Sequence, residues 1–307
     1  MLDARFRTAA VGSAGVTTGS FQPLSARDQG LPRKQILHEG VPAHLEPYLR
    51  EWIARAFLGG GAVQVMLQLE IAVGRKNPIE VLAYGLGEEH LLDVVDAILQ
   101  CGGPWPELNP GDIQLGQNTN YTGLRQMRSD LTGILEAGSS AWRVNDDRTG
   151  LTRRIDATAA AAAAAAADSA ASTPAAGSAA DHLRAAWRAL YQLHPDSSAA
   201  YRDAIRAVEA AAHAVIEPNR SNATLGTMLR QLRSAPQIYE IAIPGPDGSD
   251  SVEPLIAMID LLWKGQTSRH GGQTPTRPET FEEAQMAVHL AVTLVQWFVS
   301  GAVGRRA

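Results

Sequence analysis

One short loop carries the residues of this chain that are best suited to chemistry. The segment WKGQTSRHGG (263–272) places Arg269 beside His270, between two apolar helical stretches. A histidine can act as a general acid or base, and an arginine can stabilise charge that develops on a phosphate. Further polar donors precede the pair in the same loop: Lys264, Gln266 and Ser268. The loop therefore has the composition of a phosphate-contacting segment.

A structural interpretation of the same loop stands beside the functional one. In that interpretation Arg269 pairs with a carboxylate on a neighbouring helix and His270 caps a helix end. Because the two residues are adjacent, their side chains diverge in most backbone conformations. Adjacency therefore argues against both side chains reaching one phosphate.

Glu209 is the residue predicted to orient Arg269 across the bundle. It lies at the rim of the apolar face of a helix predicted over 197–216, with Arg206 one turn earlier on the same flank. The alternative is a ladder of ion pairs within that helix, worth roughly a few tenths of a kcal/mol.

The elements that must position these residues are helices. The C-terminal part shows helical periodicity over 180–194, 197–216, 224–232, 250–265 and 280–301. The last of these opens with a Thr280/Glu283 capping box and carries apolar residues at alternating steps of three and four. The pattern predicts an antiparallel helical bundle.

The remaining chain divides into three further segments. Residues 1–30 are predicted to form a flexible arm, and residues 31–156 a mostly helical domain. Within that domain, residues 140–155 predict a small β hairpin with its turn at 145–150. The alanine-rich stretch 157–179 has little apolar face to bury, so it is interpreted as a helical spacer and linker before the bundle at 180–302. The fold class is mainly α.

Composition limits the function. The net charge is −5, and residues 179–307 carry 12 basic and 13 acidic side chains, so a general attraction to nucleic acid is disfavoured. The single cysteine excludes a multi-cysteine zinc site, and the 8 histidines show no i, i+4 pair, so neither a metal nor a cofactor is predicted. Apolar runs fall short of the roughly 18 to 20 residues of a membrane helix, which predicts a protein of the cytoplasm without membrane contact.

Several segments carry a resemblance to a known family. The runs AYRDAIRAVEAAAHAVI, TLGTML, LLWKGQTSRHGG and TFEEAQMAVHLAVTLVQWF occur in this order between about residues 179 and 302. They resemble the abortive-infection (Abi-like) C-terminal domain of bacteria, a divergent HEPN-like helical bundle. The resemblance implies a phage-defence or toxin-like role and a homodimer. It also implies an RNA substrate, since many HEPN proteins are metal-independent ribonucleases.

The HEPN signature itself is an arginine and a histidine separated by four to six residues near a late helix. At the expected position this chain has instead the adjacent pair Arg269 and His270. Pairs with the required separation occur elsewhere three times, where chance predicts roughly two: Arg33/His38, Arg188/His194 and Arg206/His213. Three hypotheses follow: an effector whose bundle binds or cleaves RNA, a non-catalytic interaction module, and a regulator whose N-terminal region senses a ligand.

Overall fold

The computed structural model describes residues 37–57, 61–72, 74–101, 119–243, 251–268 and 276–306, and gives only the backbone of 119–126 and 128. The protein is mainly helical with a small hairpin, as predicted. The helices used below are α1 (Glu46–Ala56), α2 (Ala62–Gln68), α3 (Leu91–Gln100), α4 (Thr119–Ala137), α5 (Ala157–Ala171), α6 (Ala179–Tyr191), α7 (Ser197–Ile216), α8 (Leu225–Ser234), α9 (Glu253–Lys264) and α10 (Phe281–Val299). The strands are β1 (Trp142–Val144), β2 (Leu151–Arg153), β3 (Tyr239–Ile241) and β4 (Val303–Arg305). The predicted arm, residues 1–30, lies outside the described residues.

The C-terminal core is built by helices α5, α6, α7 and α10, which contact one another, with α8 and α9 packed beside them. The periodic apolar residues of α10 form its buried seam: Ala284, Val288, Ala291, Val295 and Phe298. The capping box that starts α10 is present, because the Thr280 hydroxyl accepts from Glu283 N–H and the Glu283 carboxylate accepts from Thr280 N–H. These local signals predicted the helix and the face that it buries.

The alanine tract is a packed helix, which corrects the expectation that it has little apolar face to bury. Helix α5 buries Ala163, Ala166, Ala167 and Ala170 against α6 and α10, inside the same core as the bundle. Alanine lacks the bulk that normally marks a core face, yet its small side chain lets two helices approach closely. Hydrophobicity along the tract is uniform, so the buried face leaves no periodic signal in the sequence.

A second core lies in the N-terminal part. Helices α1, α3 and α4 surround it together with one π-helical turn, Val81–Gly85. Trp52 is fully buried there, and its indole N–H donates to the carbonyl of Met127 at 2.8 Å. The indole thus brings a large apolar surface into the core while its one polar atom stays satisfied.

The β1–β2 hairpin joins the two cores. Its strands pair antiparallel, with Trp142 opposite Arg153, and its turn falls at 145–150 as predicted. Strand β2 contacts both α3 and α6. The Thr152 hydroxyl donates to the carbonyl of Tyr191 at 3.1 Å. The hairpin therefore touches both the N-terminal helices and the bundle.

Within the described residues, no helix combines the length and apolar character needed to cross a membrane.

Candidate functional site

The loop singled out in the sequence is described up to Ser268 and again from residue 276. Arg269 and His270 lie outside the described residues, so the predicted catalytic pair has no geometry to report. The segment that leads into the pair is defined, and it is held to the bundle at several points. Tyr201 of α7 donates its hydroxyl to the carbonyl of Leu262 at 3.0 Å, near the end of α9.

Glu279 is the main anchor of this loop. Its side chain is buried, with the residue only 4% exposed. One carboxylate oxygen accepts from the Ser268 N–H at 2.8 Å, and the other accepts from the Ser198 hydroxyl at 2.5 Å. The Thr267 hydroxyl donates to the carbonyl of Arg277 at 2.9 Å. Glu279 thus ties the start of α7 to the residue directly before Arg269.

The charge state of Glu279 follows from these contacts. Burial by itself would raise the pKa of the carboxyl, but the hydrogen bonds from Ser198 and Ser268 outweigh that effect and hold the pKa below its ordinary value. Glu279 is therefore an ionised, buried carboxylate at neutral pH. Sequence reasoning missed it, because a glutamate directly before the N-cap residue of a helix is normally exposed to solvent.

The basic residues on either side of the loop are engaged with carboxylates. Lys264 lies 2.9 Å from Asp260 Oδ2, one turn earlier on α9, and Arg233 lies 3.0 Å from the other oxygen of that carboxylate. The hydrogen bond from Lys264 is the main cause of a lowered pKa at Asp260. Beyond the loop, Arg277 donates to both oxygens of Glu283 and lowers the pKa of that carboxyl to about 2.

The remaining supporting residues have separate partners. Glu209 accepts from the Leu225 N–H at 2.7 Å and so caps the start of α8. Arg206 is exposed and lies 3.4 Å from Asp203 on its own helix. Gln266 is half-buried within the loop. The predicted contact between Glu209 and Arg269 stays a prediction, because Arg269 lies outside the described residues.

Glu209 caps a helix, α8, that contacts α9. Helix α8, which it caps, begins with Leu225 and Gly226, and a Cβ placed on Gly226 would come within 2.7 Å of the Trp263 ring. Trp263 directly precedes the loop segment that starts at Lys264. The helix that Glu209 caps therefore packs on the residue that directly precedes this loop segment.

The spaced arginine–histidine pairs do not converge where they are described. Arg188 lies 3.7 Å from Asp147, whereas His194 lies 2.8 Å from Asp93. The ring of His213 bonds the carbonyl of Arg220 at 2.9 Å, away from the Arg206 contact. Arg33 lies outside the described residues. The two complete pairs have structural contacts of their own.

A cleft of about 620 Å³ is the second candidate site, which sequence reasoning missed entirely. It lies where the hairpin, α3, α5 and α6 meet, and we call it the junction cleft. Residues that define it come from each of these elements: Asp96, Arg143, Ala163, Arg184, Trp187 and Arg188. Its volume is in the range of small-molecule sites.

No group of three or more His, Cys, Asp or Glu side chains that could hold a metal ion occurs in the part of the chain that the structure describes. Comparison with protein-family models, with curated proteins and with solved structures finds no match to this chain.

Proposed function

We propose that this chain is a bacterial phage-defence protein of the abortive-infection type whose HEPN-like bundle acts as a non-catalytic interaction or regulatory module. One observation carries the proposal. Three side chains predicted to support catalysis have separate intramolecular partners among the described residues: Lys264 binds Asp260, Arg206 lies beside Asp203, and Glu209 caps α8. A catalytic site needs such groups to converge on the reacting atoms.

The charge around the loop supports the same proposal. Both flanking cations, Lys264 and Arg277, are neutralised by carboxylates, and Glu279 adds a buried negative charge between them. In the described part of the loop, a phosphate would meet cations that are already paired with carboxylates, which weakens its attraction to them.

RNA cleavage by Arg269 and His270 is the second candidate function. The observation that favours it is the anchoring of Ser268, because a fixed residue directly before Arg269 limits where the pair can lie. In that case the loop carries the chemistry as proposed from the sequence, with histidine as acid or base and arginine on the phosphate.

A purified-protein experiment separates the two candidates. Full-length protein is incubated with total bacterial RNA without added metal, beside the Arg269→Ala/His270→Ala double variant. The matched control is Arg220→Ala/His213→Ala, which removes the same side-chain types at the end of α7. We expect intact RNA in all three samples. RNA cleavage by the wild type and the control but not by the loop variant would contradict the non-catalytic proposal and establish the nuclease.

The defence role has its own test. Expression of the chain in a phage-sensitive bacterium is expected to reduce plaque formation, and the loop variant is expected to reduce it equally. Unchanged plaque numbers with a well-expressed wild type would refute the defence role.

A homodimer is part of the proposal. Leu261 of α9 is 53% exposed and Met286 of α10 is 62% exposed, and both line a shallow apolar pocket of about 150 Å³ on the bundle. We expect two copies to associate through this surface, since burial of such side chains stabilises association. Sedimentation should show Met286→Glu as a monomer at micromolar concentration while Leu67→Glu on α2 stays dimeric; a monomeric wild type would count against the dimer.

A further inference from the structure

The junction cleft combines an apolar wall with a buried acid. Ala163, Ala167 and Leu183 are buried along the wall formed by α5 and α6. Trp187 lines the same wall, and its ring is held in place by Tyr191 at 4.7 Å and His289 at 5.6 Å between ring centroids. The wall thus presents a flat aromatic surface that contacts on its far side keep in position.

Asp96 is the charged group at the depth of the cleft. It belongs to α3 and is only 7% exposed. Its Oδ1 accepts from the Leu151 N–H and its Oδ2 accepts from the Gln100 side chain, both at 2.5 Å. These donors are neutral amides, so they orient the carboxylate without neutralising its charge. Burial accordingly raises the pKa of Asp96, although the hydrogen bonds from Leu151 and Gln100 oppose this.

The cations that line the cleft lie at its rim, and each has an aspartate of its own. Arg143 lies 2.9 Å from Asp146, Arg184 lies 2.8 Å from Asp168, and Arg188 lies 3.7 Å from Asp147. Among the ion pairs found in the described segments, none includes Asp96. The lining contains three arginines and four aspartates, so its net charge is −1. The aspartate outside the three rim pairs is the buried one, Asp96.

We propose that the junction cleft binds a small organic cation, a protonated amine on a flat apolar body, with the ammonium at Asp96 and the body against Trp187 and the alanine wall. Among the described residues no ion pair includes Asp96, and His194 is the one cation whose charge acts on it, so the amine supplies a counter-ion in direct contact with this carboxylate. A carboxylate keeps acceptor capacity after two hydrogen bonds, so an ammonium can donate to it without displacing Leu151 or Gln100.

An anionic ligand fits the same cleft less well. It would have to displace aspartates from the rim arginines and would still lie near the ionised Asp96. A cation does not have to break these neutral pairs at the rim, and the remaining net charge of the lining, −1, is that of Asp96 and attracts it. Charge thus distinguishes the ligand class, while the apolar wall selects its shape.

The site is independent of the proposed defence role, and its position gives it a consequence for the whole chain. Asp96 belongs to the N-terminal core, Trp187 to the bundle, and the hairpin between them contributes Leu151. A ligand that contacts Asp96 and Trp187 together is bound only while the two cores keep their present arrangement. Binding therefore stabilises that arrangement.

Three matched indole compounds test the ligand class: tryptamine, which is cationic, tryptophol, which is neutral, and indole-3-propionate, which is anionic. Their affinities for the full-length protein are measured by calorimetry and by ligand-observed NMR at neutral pH. We expect tryptamine to bind about tenfold more tightly than tryptophol, the difference that one charge-assisted contact provides, and the anion to bind most weakly. Equal affinities, preference for the anion, or no binding of tryptamine at millimolar concentration would overturn the proposal.

Two variants assign the contacts. Asp96→Asn keeps an acceptor for Leu151 but removes the charge, so the preference for tryptamine over tryptophol should fall to within about twofold. Asp93→Asn is the matched control, because Asp93 lies on the same helix and pairs with His194 but does not line the cleft. Trp187→Ala should weaken the binding of all three compounds to the same extent. Far-ultraviolet circular dichroism checks that each variant is folded, and an unchanged charge preference in folded Asp96→Asn would refute the assignment.

Discussion

Glu279→Ala is the substitution whose effect on stability the structure defines best. The carboxylate accepts hydrogen bonds from the Ser268 N–H and the Ser198 hydroxyl, and the residue is 4% exposed. A hydrogen bond to a charged group contributes about 1.5 to 3 kcal/mol, so the two bonds together amount to about 3 to 6 kcal/mol. The variant also avoids the desolvation of a buried carboxylate, which offsets part of the loss. We expect the free energy of unfolding to fall by about 2 to 3 kcal/mol.

The comparison needs two further variants. Glu279→Gln keeps the shape of the side chain and one acceptor oxygen, so the free energy of unfolding should fall by about 1 kcal/mol. Glu282→Ala removes an exposed glutamate from the first turn of α10, the helix that follows Glu279, and should change the free energy of unfolding by less than about 0.5 kcal/mol. Urea unfolding followed by circular dichroism at neutral pH measures all three. If Glu279→Ala matches Glu282→Ala, Glu279 does not anchor the loop and the reasoning fails.

The same site predicts a dependence on pH. Because the pKa of Glu279 is lower in the folded state than its ordinary value, the folded state favours the ionised form. Its stabilisation is therefore complete above the pKa of an unfolded glutamate and is lost as the pH falls through that value toward the folded one. The difference in unfolding free energy between wild type and Glu279→Gln should shrink as the solution is acidified. A difference that stays constant down to the onset of acid unfolding would contradict the assignment.

Three further predictions concern other contacts. Gly226→Ala places a Cβ 2.7 Å from the Trp263 ring and should lower the free energy of unfolding by about 1 to 3 kcal/mol. In Gly133→Ala the new Cβ points into open space on a helix, so the free energy of unfolding should rise by about 0.5 to 1 kcal/mol. Equal shifts of the melting temperature in the two variants would refute this. Tyr191→Phe removes a hydroxyl that forms a hydrogen bond with His289 at 2.8 Å, so the free energy of unfolding in urea should fall by about 1 kcal/mol. An unchanged free energy of unfolding would contradict that hydrogen bond. Burial raises the pKa of Asp96, so its ionisation destabilises the fold, and Asp96→Asn should gain stability relative to wild type as the pH rises above the ordinary aspartate value; a pH-independent difference would exclude this.

Helices with strong local signals were predictable from the sequence. Helix α7 has the predicted bounds, and α10 begins at the predicted capping box with its apolar seam buried. The β1–β2 hairpin was predicted from a short polar turn between two strands. Each of these features depends on residues within a few positions of one another, so periodicity and capping chemistry suffice to find them.

Features that depend on distant residues were not predictable. Strand β3 pairs with β4, which lies more than 60 residues later, and no turn connects them that a sequence pattern could mark. Arg305 on β4 donates to the carbonyls of Val215 and Ile216, the last residues of α7. A helix end leaves such carbonyls without partners in its own helix, and here the partner comes from the far end of the described chain.

The candidate sites divide in the same way. The sequence singled out the loop around Arg269 and His270 by residue type and by resemblance, and it placed that loop between two helices. It did not reveal that Glu279 anchors the loop, or that Asp96 lies buried in a cleft between two cores. Both carboxylates look like ordinary surface residues in their local sequence.

By itself, then, the sequence determined which segments are helical, where the strongest helices start and which of their faces are apolar, because hydrogen bonding and burial in a helix act between near neighbours. Tertiary structure alone decided what those faces meet. The alanine helix became part of a core, two carboxylates became largely buried, and a cleft formed between the hairpin and the bundle. The physical reason is that burial and electrostatic environment depend on atoms brought together by folding, and sequence separation does not specify them.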